Sequence, residues 1–537
     1  MKAFSTLLDT LVYIGSRNRK LALIAAYLRE TPDPDRGWAL AALTGELDFP
    51  GVKSSTIRNL MKDRVDPVLW ALSRDFVGDT AETASLLWPG PIERDDDAVA
   101  AEPATLGQTI DALAKLNRNT APIELPALLD RLDAAGRFAL IKLATGGMRI
   151  GVSARLAKTA FAKAFDVAVE DVEEYWHALE PPYAELFAWG EGRAAAPDVT
   201  NQPHFRPFML AHPLGDDAVD LADYAAEWKW DGIRVQIVRV GGLTRLYSRS
   251  GDDISASFPE LLDALPVDAV LDGELLVRGT SQGGEDGGAA SFNALQQRLG
   301  RKTVSKAMLA EAPAFIRLYD ALFIEGADLR EQPWTKRRAA LEGLAAIFPA
   351  GHFDLSELVE VETFDELAQI REGTRKDAIE GLMLKRRDSP YIAGRKVGLW
   401  YKWKRDPLLI DCVLMYAQRG SGKRSSFYSD YTFGCWTGDP DGEGAQLLPV
   451  GKAYSGFSDA ELKKLDKVVR QTTLNRFGPV REVERTLVFE VAFDSVHASK
   501  RHKSGLAMRF PRIHRIRWDK PVHEADRIES LRALIQD

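Results

Sequence analysis

The stretch Glu227-Trp-Lys-Trp-Asp-Gly-Ile-Arg234 sets a lysine in a Lys-x-Asp-Gly turn, with an arginine five residues further on. An amine in that setting suits attack on the α-phosphate of a nucleotide, which is then held on the lysine through a phosphoramidate bond. Taken alone, the tetrapeptide is equally an ordinary solvated β-turn. The downstream motifs, and the order in which they occur, decide between the two.

After the lysine come Ser248-Arg-Ser-Gly251, Val270-Leu-Asp-Gly-Glu-Leu-Leu-Val277, Leu318-Tyr-Asp-Ala-Leu-Phe323, Glu380-Gly-Leu-Met-Leu-Lys385 and Trp400-Tyr-Lys-Trp-Lys404. The series closes with Arg509-Phe-Pro-Arg-Ile-His-Arg-Ile-Arg-Trp-Asp-Lys520. From about residue 120 to the C-terminus this ordered set resembles the covalent nucleotidyltransferases, and most closely the ATP-dependent DNA ligases. Arg-Phe-Pro-Arg followed by Arg-x-Asp-Lys is the most specific single piece. Over the first hundred residues the resemblance is only compositional.

Composition is ordinary for a soluble globular protein with sizeable cores. The chain has 537 residues, 45% hydrophobic and 28% charged, a length that predicts several domains. No apolar run approaches the roughly 20 residues of a membrane span, and Asp9 interrupts the place where a signal peptide would keep its apolar stretch. Two cysteines, Cys412 and Cys435, cannot make a four-cysteine zinc site. A cytoplasmic protein is expected, nucleoid-associated if the source is bacterial. The net charge of −8 does not exclude DNA, because binding answers to the local field. Lys500, Arg501, Lys503, Arg509, Arg512, Arg515, Arg517 and Lys520 crowd one stretch that holds the single acid Asp519, while acids gather at Glu93–Asp97 and Asp216-Asp217.

The pattern predicts a multidomain α + α/β + β chain. Residues 1–203 read as an all-helical DNA-binding domain, with Phe4, Leu7, Leu8, Leu11 and Val12, then Leu21, Leu23, Ile24, Tyr27 and Leu28, at the helical period. Pro89–Asp97 reads as an exposed loop. One helix should end at Gly146-Gly147 and Ser153 should cap the next. That glycine turn is similar to one in the helical domain of larger ATP-dependent ligases, and Arg149 and Arg155 are the expected phosphate contacts. Residues 204–405 alternate strands and helices as a mixed α/β adenylation domain. Gly279–Gly288 reads as a surface loop, since it lacks a P-loop lysine. Residues 406–537 fit an oligonucleotide-binding (OB-fold) β-barrel, with a hinge at Lys404–Pro407.

The resemblance assigns roles to these positions. Lys229 is the nucleophile. A free lysine has a pKa of about 10.4, so neighbouring positive charge from Lys402, Lys404 and Mg²⁺ is expected to help it lose its proton. Glu274 and Glu380 match the two metal-associated glutamates, with Glu274 also matching the ribose contact. Two carboxylates are enough for Mg²⁺, which keeps several waters. Asp231 and Asp272 are secondary, orienting the lysine or holding turns. Glu227 matches the residue that meets the adenine, Tyr319 the ring that stacks on it, and Arg234 and Arg249 the ribose or phosphate contacts. Arg395 is placed with them, although its spacing from Lys402 departs by one and Lys396 could stand in. Arg517 and Lys520 should close over the β- and γ-phosphates, and Arg509 and Arg512 should touch DNA.

The expected activity is sealing of 5′-phosphate/3′-hydroxyl nicks in duplex DNA, by a monomer using ATP and Mg²⁺ in repair, recombination or replication. An NAD-dependent ligase conflicts with the cysteine count. An mRNA capping guanylyltransferase would not bring the helical N-terminus or Arg-Phe-Pro-Arg. An RNA ligase remains open, since nothing in the sequence reveals sugar preference. A non-catalytic nick-binding scaffold need not keep Lys229, Glu274, Glu380, Lys402 and Lys404 together. The length leaves no room for an added polymerase, nuclease or BRCT-like extension.

Overall fold

A computed structural model describes the chain except residues 90–103, 216–218, 279–294, 296–297, 300, 302–303, 350, 374–378, 421–425, 441, 443, 500–501 and 536–537. The expected loops at 89–97 (beyond Pro89) and 279–288, the acids 216–217 and the basic residues 500–501 lie outside the described residues. Helices come first, a mixed strand and helix region second and a sheet region last. By their contacts the residues form two compact units, 165–406, and 1–164 together with 407–537.

In the N-terminal helices the apolar residues at helical spacing become the core. Phe4, Leu7, Leu8 and Leu11 of Lys2–Tyr13 are buried, as are Leu21, Ile24, Tyr27 and Leu28 of Arg17–Glu30. Side-chain caps set the helix starts: Asp66 receives the Leu69 N–H, and Thr105 and Gln108 form a capping box. The helix Ala134–Ala144 stops one residue before the glycines. Gly147 donates back to the Lys142 carbonyl and Gly146 takes φ +65°, a left-handed ending that suits glycine. Ser153 accepts from the Leu156 N–H at 3.2 Å and opens the helix Ala154–Phe165.

The C-terminal residues form an antiparallel sheet along the long strand Leu408–Arg419. Tyr428–Trp436 pairs with one side of that strand, and Val480–Val483 and Val488–Phe493 share the other. Its inner face packs Cys412, Leu414, Tyr431, Phe433, Phe489 and Val491 with Leu465 and Val469 of the helix Asp459–Thr472. The Ile513 N–H donates to the Ser455 carbonyl, drawing the last strand back toward the first edge.

Residues 165–406 carry the nucleotide motifs on two sheets. A four-stranded sheet runs His212–Pro213, Trp400–Lys404, Ile379–Arg386, Tyr224–Trp230. A larger one runs Leu243–Ser248, Ile233–Val240, Ala269–Val277, Ala314–Ile324, Ala327–Asp328, with Phe353–Leu355 parallel to Ala314–Ile324. The chain passes from the first sheet to the second at Asp231-Gly232. Gly232 is required there by space: a Cβ would stand 2.4 Å from the Leu275 carbonyl oxygen. The helices Val169–Trp176 and Ala184–Gly190 belong by contact to this unit, through Glu174 to Arg330 at 2.9 Å and the His177 ring edge-on to Phe205 at 5.3 Å.

Candidate active site

Alternation along three strands builds the site. Residues opposite one another in a sheet share a face, and the register sets Lys229, Gly381 and Lys404 in one row and Glu227, Met383 and Lys402 in the next. The other face carries Trp228, Leu382, Leu384, Tyr401 and Trp403, packed around Leu367. Trp403 stacks on Phe364 at 4.7 Å. The aromatic alternation thus anchors one face of the sheet and leaves its lysines on the other.

A bulge sets the acid among them. Ile379 pairs with Trp230 and Gly381 with Lys229, so Glu380 is an extra residue with no partner of its own. Its Oε2 accepts from Lys229 Nζ at 2.5 Å and lies 3.1 Å from Lys404 Nζ. Burial alone would raise the Glu380 carboxyl; the charges of Lys229 and Lys404 outweigh it and hold the group below its ordinary value. Gly381 takes φ +147°, and a Cβ there would lie 2.3 Å from the Trp403 carbonyl oxygen. No other residue fits that bend.

The second sheet supplies the facing wall. Glu274 stands opposite Arg234 in the register and accepts from the Gly232 N–H at 3.1 Å. Burial pushes its carboxyl up to about 7, against the pull of Lys229 and Arg234 and with the push of Glu380. Two carboxylates close enough to repel, one held protonatable near neutrality, fit a hard divalent cation that brings its own waters. Among the described residues no group of three or more His, Cys, Asp or Glu gathers as a metal cage.

Further cations crowd the lysine face. Burial holds the Lys402 ammonium below the usual lysine value, and the charges of Arg395, Lys404, Lys229 and Arg249 add to the effect. Arg395 lies on a short strand paired with Met209–Leu210, and it and Lys396 are both exposed. Arg234 is already engaged. It donates to the Met209 carbonyl at 2.7 Å and to Asp272 at 3.0 Å, and lies 4.1 Å over the Phe208 ring. Asp272, bonded also by Tyr391 at 2.5 Å and Gln236 at 2.9 Å, fixes Arg234 rather than Lys229. A second bulge, between Gly273–Leu318 and Asp272–Asp320, turns Tyr319 out of the ladder.

Glu227 is buried and accepts from Lys385 Nζ at 3.0 Å. The motif reading did not single out Lys385, although it shares the face of Gly381 and Met383 by simple alternation. Arg338, 3.8 Å from Glu227, comes from the helix Trp334–Leu344 and had no sequence signal.

The remaining predicted residues lie in the other unit. Lys520 and Arg517 reach Asp411 Oδ2 at 2.6 and 3.5 Å, and Arg517 lies 3.6 Å from Glu490. Arg512 pairs with Asp494 at 3.0 Å, and Arg509 lies 5.0 Å from the ring of exposed Phe510. Arg149 and Arg155 are exposed on either side of the Gly151 turn. That turn is propped from within by buried Lys20, which donates to the Ile150 and Gly151 carbonyls at 2.9 Å each.

Comparison with known proteins places this geometry. A family model described as ATP dependent DNA ligase domain matches residues 209–404, and one described as ATP dependent DNA ligase C terminal region matches residues 424–520. A "Probable DNA ligase" of Koribacter versatilis (strain Ellin345) is 31% identical over 98% of this chain and 95% of its own length. "DNA ligase 1" of Korarchaeum cryptofilum (strain OPF8) is 29% identical, covering 100% of this chain and 98% of its own. The solved structure titled "Pmar-Lig_PreS3" has a TM-score of 0.58 at 16% identity over 96% of this chain and 99% of that one, a likeness of fold. With Lys229, Glu274, Glu380, Lys402 and Lys404 all inside the first match, the chain belongs to the ATP-dependent DNA ligase family.

Proposed function

We propose that Lys229 attacks the α-phosphorus of ATP and displaces pyrophosphate, that AMP then passes from the lysine to the 5′-phosphate of a nick, and that the 3′-hydroxyl displaces AMP to close the strand. The observation that carries this reading is the cluster of Lys229, Glu380 and Lys404, in which one carboxylate on a bulge bridges the nucleophile and a second cation. Lys402, Lys404, Arg395 and Arg249 concentrate positive charge where phosphate oxygens gain charge in the transition state. Glu274 and Glu380 would hold Mg²⁺, which when bound offsets phosphoryl charge. Tyr319 and Glu227 serve the base. Arg234, committed to Asp272 and Met209, supports the pocket wall beneath the ribose.

Arg517 and Lys520 act on the departing pyrophosphate, with Lys404–Pro407 as the hinge; the two contact units divide at Asp406 and Pro407. Arg149, Arg155, Arg509 and Arg512 take DNA phosphates. A three-domain division with its second boundary at 405 and with residues 165–203 packed on the middle domain, a monomeric state and a cytoplasmic location complete the reading. For location, the support is that no described helix is long and apolar enough to cross a membrane.

Incubation with α-labelled ATP and then with nicked duplex DNA tests the scheme. The wild-type chain should carry acid-labile label and lose it on adding the nick. Lys229→Ala should carry none, yet close a nick already adenylated at its 5′ end. Covalent AMP on Lys229→Ala would remove the lysine from its role.

A further inference from the structure

The carboxylate of Glu227 sits in a buried charge arrangement that the catalytic scheme leaves unused. Glu227 is 1% exposed. Its Oε2 accepts from Lys385 Nζ at 3.0 Å, and that ammonium lies between the rings of Tyr319 and Trp400, at 4.5 and 4.7 Å. Oε1 is buried without a hydrogen-bond partner, and so is Arg338 Nη1, which stands 3.8 Å from it. Glu342 fixes the same guanidinium through Nε at 2.7 Å. One oxygen of the carboxylate is thus engaged by a cation, and the other accepts from no donor. A buried acceptor without a donor is costly, and a bound group that supplies the donor recovers that cost.

We infer that Lys385 and Arg338 are positioning residues that keep Glu227 a fixed acceptor, and so set the preference for a purine bearing a 6-amino donor over one bearing a 6-oxo acceptor. The inference rests on the reading of Glu227 as the residue that faces the base. An ionised carboxylate can only accept. Against adenine it receives the amino proton; against guanine it meets the 6-oxo oxygen, and two buried acceptors are left facing each other. Sites built on a hydrogen bond reject the mismatched analogue far more strongly than apolar pockets do. The two cations also guard the charge state. Burial leaves the Glu227 carboxyl above its ordinary value, and the charges of Lys385 and Arg338 limit that rise. Without them a proton is more easily kept, and a protonated carboxyl can donate to a 6-oxo group. Neither cation needs to touch the nucleotide.

The test is the ratio of lysyl-AMP to lysyl-GMP formed by the full chain from α-labelled ATP or GTP in a single turnover. Lys385→Met should lower the ATP-over-GTP ratio tenfold or more, and Arg338→Met threefold or more. A role in packing alone would slow both nucleotides together and leave the ratio where it was. An unchanged ratio in both variants overturns the inference. Should Lys385→Met fail to fold, Arg338→Met decides on the same ratio. Glu227→Gln keeps this separate from the reading beneath it, since its amide both donates and accepts. If Glu227→Gln retains the wild-type ratio, Glu227 does not read the base and that reading falls. If it erodes the ratio while the cation variants do not, only the positioning role falls.

Discussion

Lys229 Nζ donates to Glu380 Oε2 at 2.5 Å across neighbouring strands, and the bond exists because a bulge sets Glu380 outside the ladder. An amine bonded to a carboxylate must give up that bond, with a proton, before it can attack phosphorus. Glu380 therefore has two duties, holding the resting lysine and, in the proposed scheme, helping to hold the metal. Glu380→Gln should weaken both. Lysyl-AMP formation is expected to fall on the order of 100-fold, since loss of preorganised charge costs about 10²–10³ in rate. Part of the loss should return at raised Mg²⁺. A variant adenylated at the wild-type rate at every Mg²⁺ concentration would show that Glu380 is only a surface partner of the lysine.

The bulge itself can be broken without touching a charge. Gly381→Ala would drive a Cβ to 2.3 Å from the Trp403 carbonyl oxygen at a positive φ. Strain of this kind costs about 1–3 kcal/mol, and relieving it must shift Glu380 relative to Lys229 and Lys404. The expected result is a lower urea midpoint together with adenylation reduced at least tenfold. Gly343→Ala is the control, because nothing lies within 4 Å of a Cβ at that helical position.

Much of this site was legible because its chemistry is local. Lys-Trp-Asp-Gly, the glutamates of Asp-Gly-Glu274 and Glu380-Gly, and the alternating Trp-Tyr-Lys-Trp-Lys each hold their pattern within a few residues. Other features depend on contacts that sequence spacing does not encode. Arg234 looks like a free phosphate ligand in sequence, yet Asp272, 38 residues away, claims it. Arg338 reaches Glu227 from a helix over a hundred residues downstream. The allotment of residues 165–203 was hidden for the same reason. Those helices read like the ones before them, and only Glu174 and His177, meeting Arg330 and Phe205, show which unit they pack on.

Glu174 also makes that packing sensitive to acid. Burial would raise its carboxyl, but the His204 ring 3.9 Å away and the charges of Arg330 and Arg206 outweigh it and hold the group at about 2. A folded value below the unfolded one of about 4.3 means the stabilisation is present above the unfolded value and lost as pH falls through the folded one. Glu174→Gln should cost about 1–2 kcal/mol at pH 7, allowing for partial solvent screening. The gap between variant and wild type should close from about pH 5 down to about pH 2. Urea midpoints across that window check it, and a gap that stays constant with pH would mean the loss is one of shape rather than charge.

Arg517 and Lys520 provide the sharpest separation of steps. Both sit against Asp411 Oδ2, at 3.5 and 2.6 Å, and Glu490 lies 3.6 Å from Arg517. To act on pyrophosphate they must exchange these carboxylates for phosphate oxygens, which bidentate and charge-assisted bonds make favourable. Once AMP is on Lys229 the pyrophosphate has gone, so the pair has no further duty of this kind. Arg517→Ala with Lys520→Ala should therefore cut lysyl-AMP formation from ATP by about 100-fold or more, while an already adenylated nick is still sealed within about tenfold of wild type. If the segment served DNA alone, sealing would fall and adenylation would survive. If it served only to anchor the sheet through Asp411, both steps would fall together with the melting temperature, because a buried carboxylate stripped of its partners is destabilising. Restoring that balance with Asp411→Asn in the same chain should bring back the melting temperature but not the adenylation, and recovery of both would assign the pair to structure.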